Sequence, residues 1–246
     1  MPTQVIAVIP ARLGSRRFKR KVLHPYQDKP LLFYVWNSLR KSRRIDRLVI
    51  ATDSKEIMAT ASDFGAETVM TSARLKTGTD RMAEVARRVK GEIYINVQAD
   101  NFGLKAAVLD RMIDKFKARM SVGFATMARR IGSDDDLFDP DKVKVIINRR
   151  GEALWFSRFP LPYLQGVVGR NRAQQYVFWE HIGVYFMRRP DLQRFARWGR
   201  SDLEKAESLE QLRVLENGGK MAVYPTTMKT VSIDSPMDLE RIVSLR

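Results

Sequence analysis

The sequence predicts an α/β fold: a mostly parallel sheet with helices on both faces, plus a smaller antiparallel extension. Three observations carry this. Apolar β-branched runs alternate with amphipathic stretches through the first half of the chain, and strand-like runs with only brief connections fill the second. The 246 residues, 44% hydrophobic and 29% charged, are enough for a substantial core. The expected division is residues 1–128 as the α/β part and 129–246 as the extension, which returns to the main sheet so that the whole is one continuous unit.

Residues 5–9 and 47–51 are the first two strands, and between them 31–39 is amphipathic and follows Pro30, which suits an early helical position. This is a βαβ unit. Ser54 can cap a helix over 54–64 that Gly65 stops, and 67–70 reads as a short strand. Thr79 can cap the next helix, through Arg88, ahead of a buried strand at 92–97. Helical periodicity then runs over 104–119 through Leu109, Met112, Ile113 and Phe116. In the second half, 121–128, 143–147 and 153–156 are strand-like, the last two joined by the hairpin signal Asn148-Arg149-Arg150-Gly151. Pro160, Pro162, Gly166 and Gly169 make 160–172 irregular, a segment expected to lean on a neighbouring subunit. A strand at 183–187, a helix over 203–216 stopped by Gly218-Gly219, and a last helix opened by Ser235-Pro236 complete the chain.

Composition excludes several chemistries. With no cysteine there is no disulfide framework, zinc-thiolate site or cysteine nucleophile, and two histidines, His24 and His181, leave little for a histidine metal site. Any metal must be held by oxygen. The apolar run at 5–9, closed by Pro10 and Arg12, is too short for a signal h-region or a membrane span, so a soluble cytoplasmic protein without membrane insertion is expected. A net charge of +16 favours anionic partners without choosing among nucleic acid, anionic surfaces and small anions.

Two places could carry chemistry. The first strand runs into Pro10-Ala11-Arg12-Leu13-Gly14-Ser15-Arg16-Arg17-Phe18-Lys19-Arg20-Lys21, a basic loop at a strand's carboxyl end, where ligands of open parallel sheets bind. It lacks the P-loop spacing, so side chains rather than a glycine nest would supply the donors. The same loop reads equally well as a solvated basic turn. Asn96-Val97-Gln98-Ala99-Asp100 leaves the fourth strand with a carboxylate suited to Mg²⁺, and Asp234 in Ser232-Ile233-Asp234-Ser235-Pro236 is a second. Alone, Asp100 reads more readily as a cap for the helix at 104 than as a ligand, and Asp234 too has a cap reading.

Over nearly its whole length the chain resembles the CMP-Kdo synthetases (3-deoxy-manno-octulosonate, or Kdo, cytidylyltransferases). The residues that carry the resemblance are Ile9-Pro10-Ala11-Arg12-Leu13-Gly14-Ser15-x-Arg17 with Lys21 and Lys29-Pro30-Leu31, then Ala51-Thr52-Asp53, Thr77-Gly78-Thr79-Asp80-Arg81 and Asn96-Val97-Gln98-x-Asp100. Phe138-x-Pro140-x-x-Val143-Lys144-Val145, Ala153-Leu154-x-Phe156-Ser157-Arg158, His181-Ile182-Gly183-Val184-Tyr185, Leu209-Glu210-Gln211-Leu212-Arg213 and Ile233-Asp234-Ser235-Pro236-x-Asp238-Leu239 follow in order.

The resemblance implies a Rossmann-like nucleotidyltransferase sheet with a sugar-binding and dimerisation extension, a homodimer, and transfer of cytidylyl from CTP to an acidic eight-carbon sugar for lipopolysaccharide synthesis. By matching position, Lys21, Asp100, Asp234 and Arg12 are catalytic, Asp100 and Asp234 hold Mg²⁺, and Ala11, Arg12, Ser15, Arg17, Lys21, Thr77, Gly78, Thr79 and Arg81 bind the nucleotide. Gln98, Arg158, His181, Tyr185, Glu210 and Gln211 bind the sugar, Arg158 through its carboxylate. Without the resemblance His181 could be bonded to backbone, Tyr185 could be core, and Glu210 with Arg213 an ordinary helix pair.

The chain departs from the family where Ala99-Asp100-Asn101-Phe102 stands for Gly-Asp-Glu-Pro, where Lys19-Arg20 stands for Pro-Gly, and where Ser232 stands for a glycine. One carboxylate fewer beside Asp100 predicts a magnesium-hungry enzyme. The alternatives are a cytidylyltransferase for another acidic sugar such as 8-amino-Kdo, and a catalytically weak nucleotide- or nucleic-acid-binding relative. No RNP, KH or zinc-finger signature supports nucleic acid, and it is not expected as a partner.

Overall fold

The run Val5–Ala11 forms β1, and its first five side chains are wholly buried, as a strand in the middle of a parallel sheet requires. The computed structural model of the chain describes residues 3–14, 18–167, 169, 171–233 and 236–240. After β1 come a 3-10 turn at Lys21–Leu23 and the small hairpin β2 (Pro25–Tyr26) and β3 (Lys29–Pro30), turned by Gln27 and Asp28 at φ 46° and 65°. Pro30 then opens α1 (Leu31–Leu39). β4 (Arg47–Thr52) is followed by α2 (Lys55–Ser62), whose cap Ser54 accepts from the Ile57 N–H at 3.3 Å, and Gly65 at φ 77° turns the chain into β5 (Glu67–Met70). α3 (Gly78–Arg88), β6 (Ile93–Val97), the two-residue β7 (Asn101–Phe102) and α4 (Ala106–Ala118) complete this stretch.

The next elements are β8 (Phe124–Arg130), α5 (Asp134–Phe138), β9 (Lys144–Ile147), β10 (Ala153–Ser157), α6 (Arg172–Gln175) and β11 (Trp179–Arg188). Then come α7 (Arg189–Arg197), α8 (Asp202–Glu207), α9 (Leu212–Glu216), β12 (Met221–Pro225), β13 (Val231–Ser232) and a 3-10 turn at Pro236–Asp238. The chain divides into two units, the first made of Met1–Met120, Val184–Ala196 and Met228–Arg246, the second of Ser121–Gly183 and Arg197–Thr227.

In the first unit β6, β1, β4 and β5 lie side by side, all parallel, with residues 184–188 of β11 antiparallel to β6. β7 and β13 pair antiparallel, Asn101 opposite Ser232 and Phe102 opposite Val231. In the second unit β9 and β10 form the expected hairpin, with Gly151 at φ 71° and Asn148 Oδ1 accepting from the N–H groups of Arg150 and Glu152. Trp179 and Glu180 of β11 pair with β9, and β12 pairs in parallel with β8. A small core of Ile131, Leu137, Ala173 and Phe178, with Leu164 against it, sits under the irregular segment.

Three expectations need correction. The cap of α3 is Thr77, not Thr79. Asp80 falls at the third helical position and closes a capping box, its N–H donating to Thr77 Oγ1 at 3.1 Å and its carboxylate accepting from the Thr77 N–H. Residues 203–216 are not one helix but α8 and α9, parted at Ser208, which takes the left-handed conformation at φ 55°. Glu207 turns toward β10 and Leu209 turns inward, so packing overrides local propensity there. Asp100 does not cap α4, whose N-cap residue is Lys105.

Candidate active site

A cleft in the first unit is lined by strands' carboxyl ends, the loops after them and the start of α3. Pro10, Ala11 and Arg12 leave β1; Leu75, Lys76 and Thr77 lead into α3, which adds Gly78 and Arg81; Gln98 leaves β6. They enclose about 380 Å³ open to solvent. The N-terminus of an eleven-residue helix faces this space, and the partial positive charge there suits a phosphate.

Buried hydrogen bonds hold the rim. Gln98 Nε2 donates to Asn96 Oδ1 at 3.4 Å, and Asn96 Nδ2 donates to Thr79 Oγ1 at 3.1 Å, both Asn96 and Thr79 being fully buried. Thr79 therefore serves the cleft from behind. Gly78 is required by close approach: a Cβ there would lie 2.9 Å from Gln98 Nε2, 3.0 Å from Pro10 Cγ and 3.1 Å from Asn96 Nδ2. Arg81, only 3% exposed, donates to Thr71 Oγ1 and, at 3.2 Å, to Asp53 Oδ2. The Ala51-Thr52-Asp53 motif thus supplies the counter-ion that lets a guanidinium stay buried at the cleft wall. Asp53 and Thr71 were not among the expected site residues, and the pattern of the motif alone does not reveal this role.

Lys21 and Asp100 are brought together. Lys21 Nζ donates to Asp100 Oδ2 at 2.6 Å, with side-chain exposures of 10% and 28%. Arg20, just before, takes the left-handed conformation at φ 58°, where the family's glycine is at ease, and its guanidinium pairs with Glu56. Asp100 follows Gln98 by two residues, and its carbonyl accepts from the Ile233 N–H at 3.2 Å beside the β7–β13 ladder. Asn101 and Phe102, the departures from the family, are both buried in that ladder. Ser15, Arg17 and Asp234 lie outside the described residues.

The residues assigned to the sugar fall in both units. Gln98 and Tyr185 are in the first, Tyr185 buried and opposite Asn96 in the β11–β6 register. Arg158, His181, Glu210 and Gln211 are in the second. His181 Nε2 lies 2.8 Å from Thr126 Oγ1 with the Phe156 ring edge-on at 5.1 Å, and burial pushes its pKa down to about 3. It is a neutral hydrogen-bonding group. Gln211 is buried at the start of α9, and Arg213 bonds Glu204 at 2.7 and 2.8 Å.

The model of the family described as cytidylyltransferase matches residues 6–240. The chain belongs to the cytidylyltransferase family. Within it, the chain is 38% identical over 245 residues to the 3-deoxy-manno-octulosonate cytidylyltransferase of Geobacter metallireducens, covering 98% of this chain and 96% of that one. It is 39% identical over 244 residues to the enzyme of the same name from Thermodesulfovibrio yellowstonii, covering 96% and 95%. A solved CMP:2-keto-3-deoxy-manno-octonic acid synthetase in complex with CTP superposes with a TM-score of 0.89 at 31% identity, covering 99% of this chain and 98% of that one. This nucleotidyltransferase therefore shares its whole length, and not only its cleft, with relatives of one named activity. No helix among the described residues is long and apolar enough to cross a membrane.

Proposed function

We propose that the protein transfers the cytidylyl group of CTP to the anomeric hydroxyl of Kdo. The hydroxyl oxygen bonds to the α-phosphorus, the bond to the β-phosphate bridge breaks, pyrophosphate leaves, and the hydroxyl proton is lost. The observation that carries this reading is the cleft of Ala11, Arg12, Thr77, Gly78, Arg81 and Gln98, in a chain that matches a relative of this name over 98% of its length. Phosphoryl transfer needs little beyond positioning and neutralisation of charge. Arg12 and the α3 N-terminus fit the phosphates, and Lys21 fits the charge growing on the leaving pyrophosphate. Neutral His181, with Gln98, Tyr185, Glu210 and Gln211, fits sugar hydroxyls, and Arg158 fits the sugar carboxylate.

Mg²⁺ fits the donor set. Asp100 is a hard oxygen donor that keeps some exposure. Asp100 and Asp234 would hold the ion, which when bound neutralises triphosphate charge and acidifies the sugar hydroxyl. We place the enzyme in the cytoplasm as a homodimer that supplies activated sugar for lipopolysaccharide.

The decisive measurement is pyrophosphate release from CTP and Mg²⁺ against a panel of acidic sugars that includes 8-amino-Kdo. Turnover with Kdo is expected, and none in Asp100→Asn. Turnover only with another sugar, or undiminished turnover in the variant, would overturn the substrate or the metal assignment respectively.

A further inference from the structure

Arg158 is held at two of its three nitrogens. Nε donates to the Glu207 carbonyl at 3.0 Å and Nη1 to the Pro140 carbonyl at 2.9 Å, with the Asp141 carboxylate 3.7 Å away. A guanidinium is planar, so fixing two nitrogens fixes the direction of the third. Nη2 has no hydrogen-bond partner among the described residues, and the side chain is 38% exposed. The fork therefore stands ready, aimed by its own tethers.

Those tethers are firmly backed. Lys144, a buried residue, donates from Nζ to the carbonyls of Asp139 at 2.8 Å and Lys142 at 2.7 Å, pinning the loop that offers Pro140. On the other side Glu207 makes three bonds to the end of β10. Besides the bond through its carbonyl, its carboxylate accepts from Ser157 Oγ at 2.6 Å and from the Arg158 N–H at 3.0 Å. One turn earlier on α8, Glu204 is clasped by buried Arg213, and one residue later Ser208 turns the chain toward Glu210 and Gln211. Glu207 thus joins the predicted carboxylate-binding residue to the turn carrying two predicted hydroxyl-binding residues.

We propose that Glu207 is a positioning residue for the sugar: it sets the direction of Arg158 and ties it to the Glu210–Gln211 turn, without touching substrate. The proposal rests on the assignment of Arg158 to the sugar carboxylate. Merely structural use of Glu207 would lower stability and affect both substrates alike; a positioning role acts on one.

Steady-state kinetics of the full chain with CTP and Kdo separate the two. Arg158→Ala is expected to raise the KM for Kdo by about 100-fold, and Glu207→Ala by about tenfold, each leaving the KM for CTP within about twofold. Glu207→Gln, which keeps one acceptor oxygen for the Arg158 N–H, should recover part of the loss. The double variant Arg158→Ala/Glu207→Ala should lose clearly less than the product of the two single losses, because Glu207 acts in good part through the Arg158 guanidinium. If Arg158→Ala leaves the Kdo KM unchanged, the assignment of Arg158 fails, and this proposal with it. If Arg158→Ala behaves as expected but Glu207→Ala changes neither KM or both equally, or the two losses multiply in the double variant, Glu207 is not a positioning residue. Should Glu207→Ala not fold, Glu207→Gln decides on the same split between the two KM values.

Discussion

A single hydrogen atom in place of a methyl group sets the mouth of the nucleotide cleft. Gly78→Ala would put a Cβ 2.9 Å from Gln98 Nε2 and 3.0 Å from Pro10 Cγ, so the rim must open. The expected outcome is about tenfold weaker CTP binding by calorimetry and a stability loss of about 1–2 kcal/mol. Unchanged CTP affinity would mean that the cleft does not hold the nucleotide. At His181 the sign follows from burial. Its pKa in the folded protein, about 3, lies below the ordinary histidine value of 6.5, so the unfolded chain takes up the proton first. Stability is complete above pH 6.5 and falls as the pH drops from there toward 3, by at most about 1.4 kcal/mol per pH unit from this group. His181→Gln should flatten that part of the curve of melting temperature against pH, and the wild-type imidazole should not titrate above about pH 4 by NMR. The general positions of Gly78 and His181 were legible in the sequence, because both sit in motifs. Their reasons were not, since close approach of Gln98 and burial beside Thr126 and Phe156 exist only after folding.

Among the elements, α8 and α9 were the least legible. Their pattern is continuous helix, and it breaks where Glu207 turns to Ser157 and the Arg158 N–H and Leu209 turns inward. β7 and β13, two residues each, carry no periodicity to read, whereas β1, β4, α1 and α2 fell close to their expected bounds because β-branched runs, Pro30 and Ser54 mark them locally. The break between α8 and α9 is bridged by an ion pair almost wholly out of water, Arg213 to Glu204, with Arg200 adding a third contact at 3.2 Å from the surface side. Removing one partner takes from the other its nearest buried counter-ion. Arg213→Met should cost about 3 kcal/mol in urea denaturation, while Glu204→Met/Arg213→Met should lose at least about 1 kcal/mol less, since no uncompensated charge remains buried. An additive double variant would show that the two residues do not act as a pair.

The whole molecule carries a charge of +16, far more than the residues around the cleft account for. Such a field draws in anionic substrates, so kcat/KM for CTP should fall about tenfold between roughly 20 and 500 mM salt as screening shortens its reach. A flat salt profile would assign the charge to something other than substrate capture. The fold class was legible at this scale from the alternation of runs, and a return of the chain to the main sheet was expected, but the places where it passes from the second unit to the first, within β11 and again before β13, were not, because long-range pairing has no local signature. That second return sets an order of events. Asn101 and Ser232, partners in the β7–β13 ladder, are 131 residues apart, and closing so long a loop costs about 4 kcal/mol in chain entropy against the return from a two-residue ladder. Because β1 and β6 meet a similar cost with a longer and buried pairing, the short ladder is expected to form after the strands around β1 and to open before them. Its amides will exchange with deuterium ahead of those of β1, β4 and β6, and on the ribosome Asp100 waits for nearly all of the chain to be made before it acquires its neighbour at Ile233.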